Sequence, residues 1–214
     1  MATAISNPTL SPRQGVCQVL QISEAPRVYY LKSFLSHQEC DELIGLSQPK
    51  MARSTTVDPE TGSDTIVDSR SSRTCFYQRR ENLLVQRIEE RIVSLLNHPL
   101  DHAEGLQILH YGIGQEYRPH FDFFDPNFKG SEKAISQGGQ RLSTVIMYLS
   151  TPEKGGETIL PDANMKFEAI KGDALLFYNL LPNGEVDRLT LHGSTPVEAG
   201  EKWAATKWLR ERYY

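Results

Sequence analysis

From residue 101 onward the apolar positions fall into short alternating runs, at 106–111, 117–123, 142–149, 167–170, 174–178, 189–192 and 203–209, each bounded by Gly, Pro, Asn or Asp. A period of two with turn residues between the runs predicts half-buried strands, and many short strands in succession predict a β-sandwich or jelly roll. The first half of the chain reads differently. Residues 16–35 alternate and are rich in β-formers, predicting two strands. Ser36 with Glu39 three residues on makes a capping box ahead of Leu43, Ile44 and Leu46, which predicts a helix start. Between 80 and 97 the apolar positions 84, 88, 92 and 95 or 96 have the period of an amphipathic helix.

The architecture expected is therefore mainly β with flanking helices (α+β), the helices packed outside the strand core. Residues 1–15, rich in Ser, Pro and Thr, predict a loose tail, and 16–214 one domain, with helical support over 16–100 and the strand core over 101–214. Residues 50–75 carry Pro59, Gly62 and many Ser, Thr and Arg. They predict a loop, either a lid over a site or a plain surface loop.

Composition narrows the function classes. A chain of 214 residues can bury one sizeable core, and 39% hydrophobic with 23% charged residues excludes a disordered chain. The net charge of -4 argues against a nucleic-acid partner. No run of about 18 apolar residues and no basic-then-apolar leader pattern is present, so no membrane segment is expected and the expected location is cytoplasmic. Cys17, Cys40 and Cys75 are odd in number and far apart, with neither a disulfide framework nor a zinc spacing, which suits a reducing compartment.

The chemistry concentrates in Y-G-I-G-Q-E-Y-R-P-H-F-D, Tyr111 to Asp122. Side chains two apart on a strand point the same way, so His120 and Asp122 would project together. With a second histidine they would complete the two-histidine, one-carboxylate set that leaves three positions open on a non-haem Fe(II). Of the other five histidines, His37 and His98 read as solvent-facing, and His110 should face away from its neighbour Tyr111. His192, at the end of an apolar run and before Gly193, is the best third ligand. Lys202, ten residues later on the next strand, could receive the far carboxylate of a dicarboxylate cosubstrate, although its position alone favours a surface lysine.

Five ordered blocks then carry a resemblance. They are Y-x-x-G-x-x-Y-x-x-H-x-D (111–122), R-L-S-T-V-I-M-Y-L (141–149), G-G-E-T-x-x-P (155–161), K-G-D-A-L-L-F (171–177) and L-H-G-S-x-P-V-x-x-G-E-K-W-A-A-T-K-W (191–208). From about residue 28 to the C-terminus the chain resembles the prolyl 4-hydroxylases of the Fe(II)/2-oxoglutarate dioxygenases, most closely the small soluble enzymes of bacteria, algae and large viruses. The resemblance implies a double-stranded β-helix holding Fe(II) on His120, Asp122 and His192, with 2-oxoglutarate as cosubstrate, O2 as oxidant and ascorbate as reductant. It also implies that Lys202 pairs with the C5 carboxylate, helped by Tyr111 and Thr158. The substrate groove would use Glu104, Tyr117, Arg141 and Trp208, with Arg70 and Ser72 on a 50–75 loop that folds over the peptide.

The implied reaction is hydroxylation of peptidyl proline at C4, with 2-oxoglutarate converted to succinate and CO2, on a proline-containing peptide or protein. Relatives include dimers, so a homodimer is open. One departure stands out: collagen-type members carry a further histidine eighteen residues after the last ligand, where this chain has Arg210. Other substrates within the superfamily, or a non-catalytic sensor of 2-oxoglutarate and metal, remain alternatives at this point. The sensor has no need of the open positions that the ligand set would leave.

Overall fold

The computed structural model describes residues 17–54, 56, 57, 64, 65 and 70–214. In chain order the elements are β1 (Gln18–Glu24), β2 (Arg27–Lys32), α1 (His37–Ser47), β3 (Ala52–Arg53), β4 (Thr56–Val57), β5 (Asp64–Thr65), β6 (Arg73–Tyr77), α2 (Leu83–Leu96), β7 (Leu106–Tyr111) and β8 (Tyr117–His120). They continue with α3 (Lys129–Gly138), β9 (Arg141–Tyr148), β10 (Lys154–Gly155), β11 (Thr158–Leu160), β12 (Met165–Phe167), β13 (Ala174–Tyr178), β14 (His192–Ser194), β15 (Val197–Ala199) and β16 (Lys202–Arg210).

Two antiparallel sheets make the double-stranded β-helix. The larger runs β1-β2-β13-β9-β16-β7-β6-β3 and the smaller β12-β11-β14-β8. β16 shows how one sequence serves two faces. All nine of its residues are buried, yet they divide by parity. Trp203, Ala205 and Leu209 join the core with Leu43 of α1 and Val85, Ile88 and Ile92 of α2. Lys202, Ala204, Thr206, Trp208 and Arg210 point the opposite way and line a cleft of about 1010 Å³ between the two sheets. Burial of Ile88 and Ile92, each at most 1% exposed, contributes about 1.5–3 kcal/mol apiece, so the helices hold the sheet while its other face is left for the site.

The helix starts follow from their caps. Ser36 Oγ accepts from Glu39 N at 3.1 Å and Glu39 Oε2 accepts from Ser36 N at 2.9 Å, the expected reciprocal pair. At the start of α2, Asn82 Oδ1 accepts from Val85 N at 2.9 Å. Within the α2–sheet interface lies one fully buried charge pair, Lys207 Nζ donating to Glu89 Oε1 at 2.5 Å, with a further bond to the Glu104 carbonyl. Burial pulls the Lys207 ammonium below its ordinary range, and Glu89 only partly offsets this.

Several expectations shift. The strand expected over 117–123 stops at His120, and that expected over 167–170 lies at Met165–Phe167. The run 189–192 does not end a strand at His192. Asp187 caps a 3-10 turn over Arg188–Thr190 by accepting from Leu189 N, so His192 opens β14 instead. α3 was not expected, because Lys129–Gly138 has few apolar residues to set a helical period. His98 is half-buried rather than solvent-facing: Asn97 adopts the left-handed conformation that ends α2 and turns the His98 ring onto the Arg210 carbonyl, 3.0 Å away.

His110 does turn away from the cleft, to Glu201 at 2.8 Å and the Trp203 ring. Part of the expected 50–75 loop is paired structure: β3 with β6, and β4 with β5. Residues 55, 58–63 and 66–69 of that loop, and the expected tail 1–15, lie outside the described residues. No helix among the described residues is long and apolar enough to cross a membrane.

Candidate active site

Three side chains converge at the mouth of the cleft. His120 ends β8 and His192 opens β14, and the two are direct Cα partners in the ladder that joins these strands. Their ring centroids lie 4.4 Å apart. Asp122 reaches the same point from the bend after β8. Phe121 and Phe123 stack on each other at 4.6 Å, while Asp122 Oδ1 comes within 3.7 Å of His120 Nε2 and its Oδ2 within 3.4 Å of His192 Nε2. One candidate ligand atom from each residue lies within 4.8 Å of the others, the one such group of His, Cys, Asp or Glu among the described residues.

The backbone sets the tautomer of both imidazoles. His120 Nδ1 is 3.0 Å from the Arg118 carbonyl and His192 Nδ1 is 2.9 Å from the Thr190 carbonyl. A carbonyl only accepts, so each Nδ1 carries a hydrogen, and in the neutral tautomer this leaves Nε2 as the nitrogen with a lone pair for the centre. Burial, reinforced by His192, pulls His120 down to about 3. Burial would raise Asp122, but His192, His120 and Arg141 outweigh it and hold the carboxyl below its usual range. At neutral pH the site thus presents a neutral His120 imidazole beside an ionised Asp122 carboxylate, the protonation states a metal requires of such ligands. Two imidazole nitrogens and one carboxylate oxygen fit Fe(II).

Deeper in the cleft Lys202, 2% exposed, donates from Nζ to Ser194 Oγ at 2.8 Å. The ammonium also sits 5.5 Å from the centre of the Tyr111 ring and 5.8 Å from that of Tyr148. Tyr148 donates to Thr158 Oγ1 at 3.0 Å. Burial pulls Lys202 down to about 7, with Glu157 as the opposing influence. A buried lysine with hydroxyl groups around it and no carboxylate among the described residues bonded to it is a ready receptor for an incoming carboxylate, whose charge favours the ammonium. Tyr111 is pushed up to about 12, chiefly by burial, and stays a neutral donor.

Around the mouth, Tyr117 stacks on His120 at 3.6 Å and the Arg70 guanidinium lies 4.6 Å over Tyr117. Arg141 lies 3.9 Å over the Trp208 ring and donates to both Glu104 oxygens, at 2.7 and 2.9 Å. Arg210 adds a third bond to Glu104 at 2.9 Å and ties it to α3 through the Ala134 and Gly139 carbonyls. Burial alone would raise the Glu104 carboxyl, but the two arginines hold it below its ordinary range.

Of the residues singled out in the sequence, all but Ser72 line the cleft. Ser72 is buried beside Ser54, at 2.8 Å, and Tyr111. Residues 70–72 run alongside Glu116 and Tyr117, with Ser71 N donating to the Glu116 carbonyl. Sequence reasoning missed Ser194, Tyr148, Thr144 and the α3 wall. The two-residue alternation from His192 could have found Ser194, whereas Thr144 is remote in sequence from Asp122 and Asn179, and Tyr148 meets Lys202 only in the fold.

A family model described as the 2OG-Fe(II) oxygenase superfamily matches residues 106–210. The chain is 40% identical over 212 residues to "Probable prolyl 4-hydroxylase 3" of Arabidopsis thaliana, covering 90% of this chain and 72% of that protein. It is 39% identical over 206 residues to "Prolyl 4-hydroxylase 5" of the same plant, covering 87% and 69%. Among solved structures it is similar to the viral collagen prolyl hydroxylase of Paramecium Bursaria Chlorella virus-1 in complex with 2OG. There the TM-score is 0.66 and the identity 28%, over 86% of this chain and 95% of that one. The chain belongs to the prolyl 4-hydroxylase family of the 2OG-Fe(II) oxygenase superfamily.

Proposed function

We propose that the protein hydroxylates peptidyl proline at C4 in an Fe(II)- and 2-oxoglutarate-dependent reaction that releases succinate and CO2. The observation that carries this reading is the placement of Lys202 deep in the same cleft whose mouth holds the His120, Asp122 and His192 cluster. A single 2-oxoglutarate could then use its oxo-acid end at the metal and its far carboxylate at the lysine.

His120, Asp122 and His192 would hold Fe(II), and three ligands leave three positions for cosubstrate and O2. When bound, the metal with 2-oxoglutarate would activate O2, the oxidant, one oxygen atom going to the substrate and the other to succinate, with ascorbate as the external reductant that maintains Fe(II). The protein's own part is binding and orientation. Lys202 would bind the C5 carboxylate, with Ser194, Tyr111 and Thr158 around it. Tyr117, Arg141 and Trp208 would seat the proline, with Arg70 over Tyr117 on the outer side. Glu104 would act indirectly, since both of its oxygens are taken by arginines and it therefore aims Arg141. Positioning has to select the carbon, because a C–H bond offers no charge to grip. Flat aromatic faces suit the preformed extended helix of a proline-rich peptide.

The three unpaired cysteines suit a reducing, cytoplasmic setting. Residues 16–214 would act as one domain, because the cleft draws on strands from β7 to β16 and the helices seat the larger sheet. The test is succinate release with Fe(II), ascorbate and 2-oxoglutarate, with and without a (Pro-Pro-Gly)n peptide. Peptide-stimulated succinate that is lost in His120→Ala supports the reading, and succinate formation indifferent to proline peptides overturns the assigned substrate.

A further inference from the structure

Asp122 is held from behind by a buried chain of two polar residues that takes no part in the ligand set. Thr144 of β9 donates from Oγ1 to Asp122 Oδ2 at 2.8 Å, and Asn179, just after β13, donates from Nδ2 to Thr144 Oγ1 at 3.0 Å. Thr144 and Asn179 are both fully buried and Asp122 is 4% exposed. The Asn179 backbone is pinned on both sides, its N–H to the Leu142 carbonyl at 2.9 Å and its carbonyl to Asp187 N–H at 2.8 Å.

The direction of the chain follows from proton counting. A threonine hydroxyl has one hydrogen. Because Thr144 Oγ1 receives the amide N–H of Asn179, its own hydrogen is left for Asp122. The alternative arrangement, with the Asn179 amide reversed, would let Thr144 donate to Oδ1 of Asn179 instead and would strip Oδ2 of its donor. A bond to a buried ionised carboxylate is worth about twice one to a neutral amide, so the arrangement that serves Asp122 prevails. The cost is visible, since Asn179 Oδ1 is buried without a hydrogen-bond partner.

We propose that Thr144, with its hydroxyl directed by Asn179, is a positioning residue that occupies Oδ2 of Asp122, so that the carboxylate offers the metal one oxygen and not two. One-oxygen ligation keeps three positions open for cosubstrate and O2, whereas a chelating carboxylate would take one of them. This inference rests on the metal site proposed above. Asn179 acts through Thr144 and has no contact of its own with the ligand set.

The test is titration of the metal-free protein with Co(II), followed by calorimetry and by the visible absorption of the bound ion. The variants are Thr144→Val, Thr144→Ser, Asn179→Leu and the double Thr144→Val/Asn179→Leu, each checked by its metal-free melting curve. Thr144→Val, which keeps shape and loses the hydroxyl, is expected to weaken Co(II) about 10–100-fold and to alter the absorption band. Thr144→Ser restores binding to within about threefold of the parent. The double variant binds no more weakly than Thr144→Val alone, because Asn179 has nothing left to direct. Parent-like affinity and spectrum in a folded Thr144→Val protein overturn the inference while leaving the metal site standing, and so does an Asn179→Leu effect that adds in full to that of Thr144→Val. Should the parent protein bind no Co(II) through His192, as judged with His192→Ala, the proposed metal site falls and this inference with it.

Discussion

His120 and His192 face each other as partners across the β8–β14 ladder, and the residue that lets the strands approach so closely is Gly193. A Cβ added there would sit 2.7 Å from the Tyr117 carbonyl oxygen and 3.0 Å from Pro119 N, both backbone atoms that cannot swing aside. Gly193→Ala should therefore push β14 off β8 and spread the two imidazoles. We expect metal affinity to fall by about 10–100-fold, as for a disturbed ligand support, in a protein that still unfolds cooperatively. Unchanged metal binding in calorimetric titration would show that strand spacing does not set the ligand geometry.

Lys202 gives a pH prediction with a definite sign. In the protein alone burial holds it at about 7, so near and above that pH much of it is neutral. A bound carboxylate favours the ammonium, and binding of 2-oxoglutarate then takes up a proton. The apparent affinity should fall as pH rises above 7, by at most about tenfold per unit. Lys202→Met should raise the KM for 2-oxoglutarate about 10–100-fold, the worth of a charge-assisted bond, and should flatten this pH dependence. A steep pH profile surviving in Lys202→Met would assign the proton to another group.

Glu104 gives a second, with the opposite sign. Its folded pKa lies below the ordinary value, so the stability it contributes is fully present above the unfolded pKa of about 4.3 and is lost as pH falls through the folded one. Glu104→Gln should be less stable than the parent at pH 7 by about 3 kcal/mol, since it leaves Arg210 without its buried counter-charge and Arg141 with only Asp122, 4.0 Å away. Urea unfolding should show the gap closing below about pH 4. A gap independent of pH would mean that shape and not charge is what Glu104 supplies.

The Glu89–Lys207 pair behind the sheet is a structural matter. Removing one partner strands a charge that is fully buried, so Lys207→Met alone should cost about 3–5 kcal/mol, while Glu89→Leu/Lys207→Met should recover most of the loss. Denaturant midpoints of the three proteins decide it. A double variant as weak as the single would point instead to the Lys207 bond with the Glu104 carbonyl.

Much of this was legible in the sequence because its signals are local. The capping box at Ser36, the helical period before Asn97 and the alternation over 106–111 and 203–209 each depend on residues within a turn or a strand of one another. The same alternation picked out His120 with Asp122, although the strand itself stops at His120 and the bend beyond it preserves the alternation through the Phe121–Phe123 stack. His192 was found by its place at a strand end, yet it begins a strand rather than ending one, because Asp187 spends the preceding residues on a capped turn. The hidden residues are those whose meaning is tertiary. Thr144 and Asn179 look like ordinary strand and turn residues until β9 and β13 bring them behind Asp122, and Arg210, in the sequence only a departure from the collagen-type histidine, gains its role when α3 packs over it.

The most direct test of the central claim is mass spectrometry of a (Pro-Pro-Gly)n peptide incubated with the protein, Fe(II), 2-oxoglutarate and ascorbate, with succinate followed in parallel. The account predicts a gain of about 16 Da located on proline, one oxygen for each succinate formed, and its loss in His120→Ala, Asp122→Ala and His192→Ala. An unmodified peptide beside full succinate production would contradict the assigned substrate, and oxidation that persists without the three ligands would contradict the site.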